Sequence, residues 1–206
     1  MFFKCVHHAP AAEGSGHVKT VSRNNKHFTV DIHCHIHVPE ADELVRQESP
    51  EFTGRTMVDS NPITSKINAD QHQTILPKLT DPEVRLKDMD EQGVDVQAIS
   101  TSPFHYNYFF DAEFTRQTAR LVNDRIAEVV AGHPDRFVGL GTVPLQNPKM
   151  AVAELDRCID DLGFKGVEIS TNVNGQDLTH AGLEKFFAAC EEKDVMIFIH
   201  PIGTSY

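Results

Sequence analysis

The chain has 206 residues, 40% of them hydrophobic, and its 19 Lys and Arg against 30 Asp and Glu give a formal net charge of −11 at pH 7. This length and balance describe one globular domain with a sizeable core, and the negative charge argues against nucleic acid or an anionic membrane surface as the main partner. No apolar run reaches the ~20 residues of a membrane span, and Cys5, Cys34, Cys158 and Cys190 form no CxxC pair, so a reducing cytosol is the expected compartment.

Residues 1–27 carry His7, His8, Gly14, Gly16 and His17 without an apolar core of signal-peptide length, and read as a flexible N-terminal extension. Its histidines resemble an adventitious metal-binding tail and carry no functional weight. A strand is expected from Thr29 to His35, containing Asp31-Ile32-His33-Cys34-His35. Alternate strand residues face one way, so His33 and His35 project together, with Asp31 one step deeper. Asp31 could orient a ligand, or be a buried polar group satisfied by backbone amides. His37 continues the alternation but precedes Pro39, and reads as a loop residue. From about residue 36 to residue 80 the sequence is polar with weak periodicity, which predicts a lid or small subdomain inserted over the strand's C-terminal end.

Thr80-Asp81-Pro82-Glu83 opens a helix by cap and first-turn proline, and Gly93 stops it. A buried strand follows from Val94 to Ser100. His105, after Ser100-Thr101-Ser102-Pro103, reads as a substrate contact or a solvated loop residue. A helix spans Asp111 to Ala131 on the stripe Phe114, Leu121, Val122, Ile126, Val129 and Val130. Phe137 to Val143 is a third strand, with Gly139 and Gly141 marking a bend or close backbone approach. Asn147-Pro148 opens the next helix and Gly163 closes it. Lys165 to Ser170 is the fourth strand, where Glu168 reads as a barrel-interior residue, a layer residue or an ion-pair partner. Leu183, Phe186, Phe187 and Cys190 mark a helix, and Val195 to His200 is the fifth strand, ending in His200-Pro201.

This alternation is how parallel β/α barrels are built, with catalytic residues at strand C-termini. The expected fold is α/β: a TIM barrel, incomplete at about the first five β/α units and spanning residues 28–206. A closed barrel takes roughly 250 residues. On a common rim, His33, His35 and His200 would supply three imidazole nitrogens to a catalytic metal, leaving an open position for water or substrate. There is no phosphate loop of the GxxxxGK[ST] kind and no GxSxG elbow.

At these residues the chain resembles the amidohydrolase superfamily and, within it, the aminocarboxymuconate-semialdehyde decarboxylase family. The matching stretches run in family order from Asp31-Ile32-His33-Cys34-His35 through Asp81-Pro82-Glu83-Val84-Arg85-Leu86 and Gln97-Ala98-Ile99-Ser100-Thr101. They continue with Arg136-Phe137-Val138-Gly139-Leu140-Gly141, Leu162-Gly163-Phe164-Lys165-Gly166-Val167-Glu168-Ile169 and His200-Pro201. The resemblance implies a divalent metal, usually zinc, held by His33, His35 and His200, with an aspartate ligand and a proton-handling histidine from later strands, beyond Tyr206. It also implies nonoxidative decarboxylation of 2-amino-3-carboxymuconate 6-semialdehyde, an intermediate of tryptophan breakdown through kynurenine, by a homodimer acting on a small-molecule carboxylate.

Two departures bear on substrate. The family's arginine before the first helix has no aligned equivalent, leaving Arg55 as a substitute, and the usual Trp-Asp after His-Pro is Ile202-Gly203. The alternatives are an amidohydrolase-type hydrolase of an ester, lactone or amide, and a noncatalytic half-barrel binding protein. The chain is expected to be the N-terminal part of the enzyme, and inactive or nearly so in this form.

Overall fold

Five short strands, each separated from the next by at least one helix, organise the computed structural model, which describes residues 27–51, 62–179 and 182–202. The strands are β1 Val30–Ile36, β2 Val96–Thr101, β3 Phe137–Gly141, β4 Gly166–Ser170, the two-residue hairpin strands β5 Asn172–Val173 and β6 Gln176–Asp177, and β7 Met196–His200. Strands β1-β2-β3-β4-β7 form one parallel sheet in that order, which is the expected half-barrel.

The helices are α1 Pro39–Glu48, α2 Pro62–Thr80, α3 Pro82–Gln92, α4 Ala112–Gly132, α5 Pro148–Asp156 and α6 Glu184–Glu192, with α5 prolonged by a π turn at Arg157–Asp161. Local chemistry sets their ends. Asp81 accepts from the Glu83 amide, Asp111 from the Glu113 and Phe114 amides, and Asn147 from the Met150 amide, each meeting a donor the helix itself leaves free. Gly93 ends α3 in the left-handed region at φ 80°, where a Cβ would be strained.

The polar stretch before α3, read from sequence as a lid or small subdomain, contains the two helices α1 and α2, which its weak periodicity did not mark. Helix α2 shows Ile63, Ile67 and Ile75 to solvent, so its apolar residues never gather into the one-sided stripe by which a helix is read from sequence. Residues 1–26, most of the expected extension, lie outside the described residues, as do residues 52–61 with Arg55.

Two apolar layers lie between sheet and helices. Met89, Ile99, Val122, Ile126, Phe137 and Phe164 belong to one, and Leu145, Leu155, Val167, Ile169, Phe186 and Cys190 to the other. Asn123 of α4 is fully buried and stitches helix to sheet: its amide donates to the Thr142 carbonyl and to Glu154, and its oxygen accepts from the Thr142 amide. Among the described residues, no helix is long and apolar enough to cross a membrane.

The first and last strands of the sheet come close at their C-terminal ends. Four strand spacings of ~4.8 Å would separate the edges of a flat sheet by ~19 Å. The rings of His33 on β1 and His200 on β7 nevertheless stand 5.0 Å apart between centroids. The sheet is therefore strongly curled about its interior face.

Candidate metal centre

Three histidines from the two edge strands meet at the mouth of this curl. Nε2 of His33 lies 3.0 Å from Nε2 of His35. The His200 ring stands 5.0 Å from that of His33 and 4.9 Å from that of His35, and one ring nitrogen from each, able to bind a metal, lies within 4.8 Å of the others. Sequence reasoning thus named three residues that the structure brings together.

Their surroundings differ. His33 is exposed and His200 is buried. His35 is anchored: its Nδ1 lies 2.8 Å from the Thr101 carbonyl, an acceptor only, so the proton sits on Nδ1 and the Nε2 lone pair faces the other two rings. Burial pulls the pKa of His35 down to about 4, and burial followed by the nearby His33 lowers that of His200. Both imidazoles are consequently neutral near pH 7, the form that coordinates a metal.

Glu168 of β4 lies under this site and is wholly buried. It accepts hydrogen bonds from Ser100 Oγ, at 2.5 Å, and from the Tyr106 hydroxyl. Desolvation raises its pKa to about 7, partly offset by those two donors. Its carboxylate is 3.7 Å from His35 Nδ1, but with His35 neutral the contact is polar rather than an ion pair. The sequence left Glu168 between interior, layer and ion-pair roles; it faces the interior as a hydrogen-bonded acceptor, and its partner Tyr106 was missed because nothing in the local pattern marks it.

A pH signature follows from Glu168. Its folded pKa lies above the ordinary carboxyl value, so the native state retains a proton that the unfolded chain releases as pH rises from about 4.5 to about 7. Glu168 therefore supports the fold below pH 4.5 and progressively ceases to do so up to pH 7. Glu168→Gln is expected to gain stability relative to the parent by about 2–3 kcal/mol between pH 4.5 and pH 7.5. Urea unfolding at the two pH values checks this, and a pH-independent difference would refute it.

Asp31 is displaced from its expected place. Between Asp31 and Cys34 the pairing of β1 with β2 shifts register, so Asp31 stands opposite Gln97 while Cys34 stands opposite Ile99. The Gln97 amide reaches Asp31 at 3.5 Å and accepts from Arg85 of α3. Asp31 thus belongs with Gln97 and Arg85 rather than in line with His33 and His35.

His37 and His105, read from sequence as a loop residue and as a substrate contact or solvated residue, are both buried and stack on each other with ring centroids 4.8 Å apart. Each meets a carboxylate oxygen of Asp42, a residue of the first turn of α1 that the sequence did not single out.

Comparison with known proteins places these residues in a lineage. Residues 30–205 match the family described as Amidohydrolase. The chain is 40% identical over 121 residues to a 2-amino-3-carboxymuconate-6-semialdehyde decarboxylase of Dictyostelium discoideum, covering 59% of this chain and 34% of that protein. It is 31% identical over 155 residues to a gamma-resorcylate decarboxylase of Polaromonas sp., covering 72% of this chain and 47% of that one. A crystal structure of a 5-carboxyvanillate decarboxylase from Novosphingobium aromaticivorans, with bound manganese and 3-methoxy-4-hydroxy-5-nitrobenzoic acid, superposes with a TM-score of 0.75 at 26% identity. That match covers 87% of this chain and 52% of the other. The chain thus spans about half, or less, of the length of these relatives. With its curled parallel sheet and strand-end histidines, the chain belongs to the amidohydrolase family.

Proposed function

We propose that the protein contributes the first half of a metal-dependent, nonoxidative decarboxylase site, acting on a small carboxylate of the kind its relatives' names describe. The observation that carries this reading is the convergence of His33, His35 and His200 at the mouth of the half-barrel. The donor set fits a divalent ion: two nitrogens each ~2.0–2.1 Å from a tetrahedral metal lie about 3.3 Å apart, close to the 3.0 Å between the Nε2 atoms of His33 and His35. Zinc suits three imidazoles, and manganese is the ion in the 5-carboxyvanillate decarboxylase structure.

When bound, such an ion supplies Lewis acidity toward a substrate oxygen and stabilises negative charge that develops as the carbon–carboxylate bond breaks. The protein's part is to hold and orient. The Thr101 carbonyl fixes the tautomer of His35, so its lone pair is aimed before any ligand arrives. Ser100 and Tyr106 keep the Glu168 carboxyl turned toward themselves, which prevents it from competing as a free charge beneath the histidines. Decarboxylation also requires a proton at the carbon that loses CO2. By the family resemblance that proton, and an aspartate ligand, come from strands later than β7.

For substrate, 2-amino-3-carboxymuconate 6-semialdehyde is proposed first, in keeping with the Dictyostelium relative and a role in tryptophan breakdown through kynurenine. The free, buried thiols of Cys34, Cys158 and Cys190 suit a reducing cytosol. A homodimer is proposed from the resemblance alone.

The test is CO2 release from that semialdehyde and from 2,6-dihydroxybenzoate, by this chain and by any longer product of the same transcript, each loaded with Zn2+ or Mn2+. Metal-dependent CO2 release by the longer product, with little from the 206-residue chain, is expected. Cleavage of an ester, lactone or amide without CO2 release would overturn the proposal in favour of hydrolysis.

A further inference from the structure

A second group of metal-binding side chains lies on the same rim. His37 follows β1, Asp42 is on α1, and His105 is in the turn after β2, so three separate segments contribute one group each. His37 Nε2 lies 3.0 Å from Asp42 Oδ2, and His105 Nε2 lies 3.2 Å from Asp42 Oδ1. The ligating atoms of the three all fall within 4.8 Å of one another. We infer that His37, Asp42 and His105 form a second divalent transition-metal site, which fastens α1 to the end of β1 and to the turn after β2.

Several observations support a ligand here rather than a simple polar latch. The two imidazoles are 8% and 1% exposed, whereas the Asp42 side chain is 36% exposed, so the cluster is walled on the histidine side and open on the carboxylate side. A metal could enter there and keep a water. With each Nε2 directed at Asp42, the Nδ1 atoms of His37 and His105 are buried and have no partner among the described residues. The His72 ring of α2 stands edge-on, 5.7 Å from His37, and brings another imidazole beside the cluster.

Charge agrees with the geometry. Although desolvation pushes it up, hydrogen bonds from His105 and His37 hold the Asp42 carboxyl well below the ordinary carboxylate range, so it is ionised. Burial lowers the pKa of His105, favouring its neutral form. Two imidazoles and one carboxylate are a donor set for zinc, cobalt or nickel rather than for calcium or magnesium, which take oxygen ligands. The inference does not depend on how the first histidine site is read.

The test is a Zn2+ titration of the full chain against a chromophoric chelator, in a His7→Ala/His8→Ala/His17→Ala background that removes the N-terminal histidines. Two tight equivalents are expected. Asp42→Asn and, separately, His37→Gln should each lose one, with affinity there at least about 100-fold weaker, beyond the 10–100-fold cost of losing a residue that only supports a ligand. Asp42→Asn is the primary variant because the Asp42 side chain is partly exposed and the replacement is isosteric, and circular dichroism verifies that it folds. His33→Gln/His35→Gln should keep the second equivalent. If folded Asp42→Asn and His37→Gln bind as many equivalents as the background, the site is a polar latch and the inference fails. A single equivalent that survives His33→Gln/His35→Gln and is lost in Asp42→Asn would uphold this site while removing the first.

Discussion

His35→Gln is expected to weaken metal binding at the barrel mouth by more than 100-fold, and by more than His33→Gln does. Loss of a residue that only supports a ligand costs 10–100-fold in affinity, whereas in the proposed site His35 supplies the ligating nitrogen itself. The ranking follows from preorganisation. His35 is held by the Thr101 carbonyl and partly buried, so its ordering was completed during folding. His33 is exposed, and among the described residues its ring is hydrogen-bonded only to His35, so binding must also pay for its ordering. Zn2+ titration of both single variants, with the Asp42→Asn substitution present so that one equivalent is followed, measures the difference. Equal losses would mean that the Thr101 anchor contributes nothing to the site.

Gly166→Ala is expected to destabilise the fold by about 3 kcal/mol or more, at the upper end of overpacking costs, and to disable the histidine site together with it. A Cβ on Gly166 would stand 2.0 Å from the Met196 carbonyl oxygen and 2.8 Å from its carbon. The obstacle is backbone, so no rotamer change relieves it. Gly166 pairs with Met196 at the start of the β4–β7 ladder, and the relief available is a displacement of β7, which carries Phe198 and His200. Gly132→Ala is the control: nothing lies within 4 Å of its Cβ, and the expected change is under about 1 kcal/mol. Urea unfolding followed by circular dichroism compares the two. A loss below 1 kcal/mol for Gly166→Ala would show that β7 is not fixed against β4 as described.

The parts of this molecule that are legible in sequence are those written in local chemistry. Asp81, Asp111 and Asn147 each cap the helix they were expected to open, and Gly93 ends α3. His33, His35 and His200 were legible because strand ends and strand alternation are local, and the parallel order then carries them to one rim. Asp31 was misplaced because alternation counts residues, whereas the register shift between Asp31 and Cys34 depends on β2. Helices α1 and α2 escaped notice for want of an apolar stripe on α2 and because α1 buries only Ala41 and Val45 among its described residues. The burial of His37 and His105 was equally hidden, since each is covered by residues distant in sequence. His105 and Asp42 are 63 residues apart.

The curl of the sheet gives the histidine site a mechanical meaning. The three histidines sit on the first and the last strand of the order β1-β2-β3-β4-β7, the two edge strands of the sheet among the described residues. An ion held between them would act as a drawstring across the open side of the half-barrel, so that metal supply and the persistence of the curl become a single variable. At a free concentration 100 times its dissociation constant, an ion bound only by the folded state adds about 2.7 kcal/mol. Without that tie, the edges are free to part, and Ile32 and Ile199, already half in solvent, would border a widening apolar seam available to another chain.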